Sequence, residues 1–323
     1  MHPLVHRVIT GDKRALARAL TLIENDEAER RALLEGFYPY SGRAMVVGMT
    51  GSPGAGKSTL VDQVIALVRS KGLSVGVVAV DPSSPFTGGA LLGDRVRMLR
   101  HSTDAGVYIR SVGSRGSLGG LGQATRDMLY ALEAYGCDVI LLETVGVGQS
   151  ELDVMTVADT VVLVLTPGAG DAIQTAKAGI MEIADVFVVN KSELPGADAL
   201  VRELQLMLHD KRSFREDWKN PIIRTNAVHG DGIADLWLAV EQHHRHMEEG
   251  GHLLARRRQR HREEALRLVE AAFARYLSER AEQDADWRRA LLDNLADNPY
   301  QTAEKILEDL PWIRLRSGND SVL

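Results

Sequence analysis

Gly51-Ser52-Pro53-Gly54-Ala55-Gly56-Lys57-Ser58, followed by Thr59, decides the fold. The spacing is that of the phosphate-binding loop, G-x-x-x-x-G-K-[ST]. Glycines at these positions let backbone N–H groups turn toward phosphates, Lys57 reaches the β- and γ-phosphates, and the Ser58 hydroxyl binds Mg²⁺. The flanks supply the context that this loop needs. Residues 44–50 (Ala-Met-Val-Val-Gly-Met-Thr) read as a buried strand, and Leu60, Val61, Val64, Ile65, Leu67 and Val68 recur at helical spacing. Strand, loop and helix in this order set the phosphates at a helix N-terminus.

Working outward, apolar runs predict strands at 44–50, 74–80, 107–112, 138–143, 160–166, 186–190 and 222–225, with helical patterns between them. Runs such as Val75-Gly76-Val77-Val78-Ala79-Val80 are nearly continuous, as expected of strands buried on both faces. The fold class is therefore α/β, a mostly parallel P-loop sheet flanked by helices. Residues 10–40 read as helical, and no strand signal follows residue 231. Residues 231–280 read as long helices and 283–310 as one or two shorter ones. This divides the chain into an N-terminal helical extension (1–43), a nucleotide-binding domain (44–240) and a C-terminal helical arm (241–323), whose apolar face is Leu266, Val269, Phe273 and Leu277.

Ligands in such sheets sit at the carboxyl ends of strands, and the polar candidates cluster there. Val139-Ile140-Leu141-Leu142-Glu143 ends in a carboxylate, with Gly146 three residues on. That is the D-x-x-G arrangement with Glu for Asp: the acid acts through Mg²⁺ and the glycine N–H meets the γ-phosphate. Val147 then stands where small Ras-like GTPases carry a glutamine that orients water. A valine cannot do this, so the sequence predicts slow intrinsic hydrolysis, with Gln149 and Glu151 as nearby polar candidates. Asp81 ends the second strand and Asp94 follows a glycine-rich loop, so both can approach the metal side. Asn190-Lys191-Ser192-Glu193 matches the base-reading N-K-x-D with Glu193 in the acidic position; the acid accepts from the guanine N–H groups while the lysine stem packs on the base. Thr225-Asn226-Ala227, running on to Val228, resembles the segment whose backbone N–H binds the guanine oxygen.

Composition sets bounds. The chain has 323 residues, ordinary apolar and charged fractions (45% and 25%) and a net charge of −6, which gives it no general affinity for nucleic acid. The basic run Arg256-Arg257-Arg258-Gln259-Arg260-His261-Arg262 is balanced by Glu263 and Glu264 and reads as a solvated helical face. Cys137 is the single cysteine, so no internal disulfide forms. No stretch is apolar enough to span a bilayer, and the N-terminus lacks the core of a secretory signal, so the expected location is cytoplasmic, away from membranes.

With these motifs in order, the chain resembles the MeaB/ArgK family of GTPases, related to the human methylmalonic aciduria type A protein. The resemblance covers nearly the whole chain. It rests on residues 11–19, on Val80-Asp81-Pro82-Ser83-Ser84 with residues 87–95, on residues 115–121 and 143–151, and on Pro167-Gly168-Ala169-Gly170-Asp171. It implies a homodimeric, Mg²⁺-dependent GTPase that acts as chaperone of an adenosylcobalamin-dependent acyl-CoA mutase, methylmalonyl-CoA mutase or a close relative. Such a protein gates cofactor loading, protects the mutase and is stimulated by it; the C-terminal helices contribute to the dimer. By matching positions, Lys57 and Ser58 hold phosphate and Mg²⁺, and Asp81, Asp94 and Glu143 form the metal and switch network. Residues 166–179 form a mobile segment that signals nucleotide state, with Asp171, Gln174 and Lys177 as its polar members, Lys177 being counted with the catalytic group. The alternatives are a metallochaperone GTPase for nickel-enzyme maturation, a kinase, and an interaction module with a dead nucleotide site. The first needs a Cys/His metal site, and the one cluster, His243-His244-Arg245-His246, lies on consecutive helical positions that face different ways.

Overall fold

Strand geometry puts successive side chains on opposite faces, so a strand apolar at every position must be covered on both sides. That is what the valine-rich runs do. A computed structural model describes residues 2–25, 27–82, 98–114, 120–144, 156–168, 180–210, 218–293 and 298–309. The strands are β1 (Met45–Gly51), β2 (Val75–Pro82), β3 (Val107–Ser114), β4 (Val139–Thr144), β5 (Thr160–Leu165), β6 (Val186–Asn190) and β7 (Ile222–Thr225). They form one seven-stranded sheet in the order β3-β2-β4-β1-β5-β6-β7, with every pairing parallel. The expected strands are all present, with bounds shifted by no more than two residues at either end.

Helices supply the two covers. The first three are α1 (Pro3–Ile9), α2 (Lys13–Asn25) and α3 (Glu27–Phe37); α4 (Lys57–Ser70) follows the phosphate loop and α5 (Gly120–Tyr135) precedes β4. A single turn α6 (Ile180–Ile183), then α7 (Ala197–Asp210) and α8 (Ile233–Glu249), complete the first of two compact units, residues 1–253. Neighbours in one strand go to different cores. Val46, Val78, Ile140 and Leu142 pack with Leu16, Leu20, Phe37 and Met128 from α2, α3 and α5. Val47, Val77, Leu141 and Val162 pack with Leu60, Val64, Ile65 and Trp237 from α4 and α8.

The stretch 10–40, read as helical, consists of α2 and α3 followed by a 3-10 turn at Tyr38–Tyr40. Leu16, Leu20, Ile23, Leu33 and Phe37 are fully buried, worth on the order of 10 kcal/mol gross at about 2 kcal/mol each. The N-terminal helices are thus part of the core. Ionic ties reinforce the packing: Arg30 pairs with Asp127 of α5, Arg110 of β3 pairs with Glu24, and Lys13 Nζ donates to the Val107 carbonyl at 2.8 Å. Cys137 is buried against this core, and burial pushes its thiol up to about 12.

The second unit, residues 254–323, contains most of the 32-residue α9 (His252–Gln283), with α10 (Ala285–Leu291) and α11 (Pro299–Glu308). Asp284 caps α10 by accepting from the Trp287 N–H, and Asn298 with Gln301 forms a capping box on α11. The Arg280 guanidinium lies 4.9 Å from the Trp287 ring centroid and 2.7 Å from Asp309, which also accepts from the Trp287 indole at 2.8 Å.

Asp127 is 2% exposed at its side chain and Arg30 23%. Removing the cation takes a charged partner from a buried carboxylate that also accepts from Gln123 Nε2 at 3.1 Å. Arg30→Ala is expected to lower unfolding free energy by about 2 kcal/mol, less than a fully buried pair because Arg30 is partly solvated. Urea denaturation checks this.

Candidate nucleotide-binding site

The phosphate loop connects the end of β1 to the start of α4, and its glycines answer to specific contacts. Gly51 has φ +148°, and a Cβ there would lie 2.0 Å from the Val164 carbonyl oxygen on β5. Gly56 caps α4 in the left-handed region at φ +86°, and a Cβ there would lie 2.4 Å from Asn190 Nδ2. Gly54 is also left-handed, at φ +77°. Lys57 opens the helix with its ammonium buried, donating to the Gly51 and Ser52 carbonyls at 2.8 and 3.0 Å. The Ser58 hydroxyl donates to Glu143 Oε1 at 2.7 Å across the gap between α4 and β4.

Sheet register explains that meeting. Glu143 is level with Met49 on one side and Ala79 on the other. Its carboxylate therefore stands at the end of the central strand pair and is 1% exposed. One residue on, the Thr144 hydroxyl donates to Thr50 Oγ1 at 3.0 Å, tying β4 to the residue that precedes the loop. Sequence reasoning missed this pair; its only trace is a threonine closing each of two apolar runs.

The base-reading side is bound into the same body. Asn190 closes β6, level with Thr225 of β7. Its Nδ2 donates to the Ala55 carbonyl at 2.7 Å, and its Oδ1 accepts from Thr225 Oγ1 at 3.0 Å and the Ala227 N–H at 3.2 Å. Lys191 takes φ +56°, unusual for a residue with a side chain, and sends Nζ to the Gly54 carbonyl at 2.9 Å. Glu193 is exposed beside it. The turn after β7 is held by Asn226, whose Oδ1 accepts from the Val228 and His229 N–H groups at 3.2 and 3.3 Å and whose backbone bridges to Asp231. Val228 itself is 76% exposed. The Ala227 and Val228 N–H groups expected at the guanine oxygen are thus each occupied by an asparagine side chain in this structure.

The structure therefore brings together Gly51–Thr59, Glu143, Asn190, Lys191 and the Asn226–Val228 turn. Asp81 lies on β2, level with Gly113 and two positions past the residue that faces Glu143. Asp94, Gly146, Val147, Gln149, Glu151, Asp171, Gln174 and Lys177 lie outside the described residues. Ser58 and Glu143 offer hard oxygen donors in contact with one another, the donor chemistry that Mg²⁺ takes in phosphate sites, where it keeps few protein ligands. The residues present fit that ion, and these two would hold it. Of the histidines of α8, His243 is buried against Thr160 Oγ1 at 2.8 Å and Asp185 at 3.4 Å, and His243 and His246 both lie against the Trp218 ring, with centroids 5.0 and 5.3 Å away.

Residues 16–282 match the family described as methylmalonyl-CoA mutase-associated GTPase MeaB. The chain belongs to the MeaB family. It is 50% identical over 309 residues to a Pyrococcus horikoshii protein that carries a GTPase designation, covering 95% of this chain and 97% of that one. It is 36% identical over 295 residues to the Escherichia coli GTPase ArgK, covering 89% of each. It is 36% identical over 272 residues to the mouse mitochondrial methylmalonic aciduria type A homolog, covering 79% of this chain and 66% of that one. A crystal structure described as a LAO/AO transport system kinase superposes with a TM-score of 0.71 at 30% identity, covering 94% of this chain and 95% of that one. As a MeaB-family protein the chain is a GTPase, and the braced loops described above are the candidate for its guanine-nucleotide site.

Gly56→Ala tests the bracing. The methyl group must displace the Asn190 amide and force a left-handed alanine. A fluorescent-GDP titration is expected to show at least about a tenfold loss of affinity, since strain of 1–3 kcal/mol falls on the candidate phosphate loop.

Proposed function

We propose that this GTPase uses Mg²⁺·GTP binding and slow hydrolysis to chaperone an adenosylcobalamin-dependent acyl-CoA mutase, gating cofactor loading and protecting the mutase. The observation that carries the nucleotide half is the Ser58–Glu143 hydrogen bond beside a buried Lys57 ammonium. The partner half rests on the match of residues 16–282 to a family described by its association with methylmalonyl-CoA mutase, and on the relative named for methylmalonic aciduria. The acyl group that the mutase handles leaves no mark on this chain.

Phosphoryl transfer asks a protein mainly to position and to neutralise charge. In this reading Lys57 and the loop N–H groups hold the β- and γ-phosphates. Ser58, Glu143, Asp81 and Asp94 take the metal side, and Mg²⁺ when bound neutralises the developing charge. The Gly146 N–H contacts the γ-phosphate, and Lys177 supplies polar help from the 166–179 segment. The Lys191 stem packs on the base while Glu193 accepts from its N–H groups. The guanine oxygen exchanges with one of the asparagine contacts to the Ala227 or Val228 N–H. A valine at 147 gives no hydrogen bond to water, so unassisted turnover is slow and the mutase supplies the acceleration. The arm, residues 241–323, pairs with a second copy; Leu266 and Val269, exposed on one face of α9, are part of the surface this covers.

GTP and ATP hydrolysis by the purified protein, alone and with acyl-CoA mutases added one at a time, tests the proposal. Slow turnover selective for GTP, rising at least about tenfold with one mutase, is expected. Preference for ATP contradicts the base assignment, and no response to any mutase contradicts the partner assignment.

A further inference from the structure

Two neighbouring residues of β4 each reach the frame of the phosphate loop, from opposite faces of the sheet. Glu143 accepts from Ser58 of α4 at 2.7 Å, and Thr144 donates to Thr50 of β1 at 3.0 Å. Alternation along a strand sends the two side chains to different sides. Met49, level with Glu143, packs in the core that α4 and α8 cover. Val80, level with Thr144, packs in the core that α2, α3 and α5 cover. Both threonines are fully buried, on a face that β2 and β4 otherwise line with Val78, Val80, Ile140 and Leu142. A hydroxyl pair in that layer calls for a reason other than apolar burial.

The pair is joined to the site directly at both ends. Thr50 precedes Gly51, whose carbonyl accepts from Lys57 Nζ at 2.8 Å. Gly51 has no slack on its other side, because a Cβ there would lie 2.0 Å from the Val164 carbonyl oxygen of β5. Thr144 follows Glu143. The ladder between β1 and β4 runs from Met45 level with Val139 to Met49 level with Glu143. Thr50 and Thr144 are the next step of that register, and their side chains carry the pairing one residue further. Packing alone would not do this. Replacing both partners of a buried hydrogen bond by apolar groups of the same shape can be almost neutral for stability, so two valines could fill the space. They could not fix the distance between the end of β4 and the residue before Gly51.

We propose that Thr50 and Thr144 are a positioning pair for the metal side of the nucleotide site: their hydroxyl bond sets Glu143 against the end of β1 that carries Gly51, and so against Ser58. The proposal rests on the reading above, in which Ser58 and Glu143 take the Mg²⁺ side.

The test is the affinity of a fluorescent, non-hydrolysable GTP analogue for the full chain, with Mg²⁺ and with EDTA, alongside thermal melting. Thr144→Val keeps the branched shape and loses the hydroxyl, whereas Thr144→Ser keeps the hydroxyl and loses a methyl group. Thr144→Val and Thr50→Val are each expected to raise half-saturating Mg²⁺ about tenfold, the low end of the range for outer-shell partners, while affinity in EDTA stays within about twofold. Thr144→Ser is expected to keep the unaltered Mg²⁺ requirement even as its melting temperature falls. The double valine variant is expected to match the single ones, since both groups act through one bond, and it replaces them in the comparison where a single valine fails to fold. A Mg²⁺ requirement that follows melting temperature across the set, with the serine variant as impaired as the valine, overturns the proposal and leaves the pair a stability contact only. Equal losses in Mg²⁺ and EDTA, or valine variants with an unaltered Mg²⁺ requirement, overturn it as well. Should the unaltered protein bind the analogue equally well in Mg²⁺ and EDTA, the metal reading of the site itself fails, and this inference falls with it.

Discussion

One buried carboxamide holds the candidate nucleotide site together. Asn190 joins the phosphate loop through the Ala55 carbonyl and the turn after β7 through the Thr225 hydroxyl and the Ala227 N–H. A typical hydrogen bond contributes about 1 kcal/mol net, but a buried polar group left without its partner costs about 1–3 kcal/mol. Removing this side chain strips a partner from three groups at once, so its loss costs more than any of its single contacts contributes. Its position also dictates the sequence elsewhere, because Gly56 has no room for a Cβ against Nδ2. Lys191 adds a second strap by crossing to the Gly54 carbonyl. Segments more than a hundred residues apart thus meet as one preassembled surface, and preassembly lowers the ordering cost of binding.

That surface has a defined electrostatic character. The Lys57 ammonium is buried and donates to the Gly51 and Ser52 carbonyls of the loop. On the metal side the Glu143 carboxylate is buried beside a hydroxyl. A buried cation and a buried carboxylate thus frame the place where a phosphate and a divalent cation would sit. Sheet register achieves this, since Met49, Glu143 and Ala79 lie level across β1, β4 and β2.

Much of this was legible in the sequence, and the limits have a physical cause. Runs such as Val161-Val162-Leu163-Val164-Leu165 announce a strand buried on both faces, and G-x-x-x-x-G-K-S announces the loop that follows one. Such patterns report burial along a single element. They carry no record of which distant element supplies a partner, so Asn190 read as part of a base-recognition motif and not as the brace of the phosphate loop. The Ala227 and Val228 N–H groups read as donors to guanine, whereas two asparagines hold them here. The histidines of α8 were only partly readable: His243 and His246, three positions apart, both lie against the Trp218 ring.

The central claim is that the braced loops form a guanine site even though Glu193 replaces the usual aspartate. Competitive calorimetric titration of GDP and ADP into the protein tests it most directly. A site whose acid and backbone read the guanine edge rejects a base lacking those groups, so GDP should bind at least about a hundredfold more tightly than ADP. Equal affinities would contradict the account, leaving a phosphate loop with no base reader.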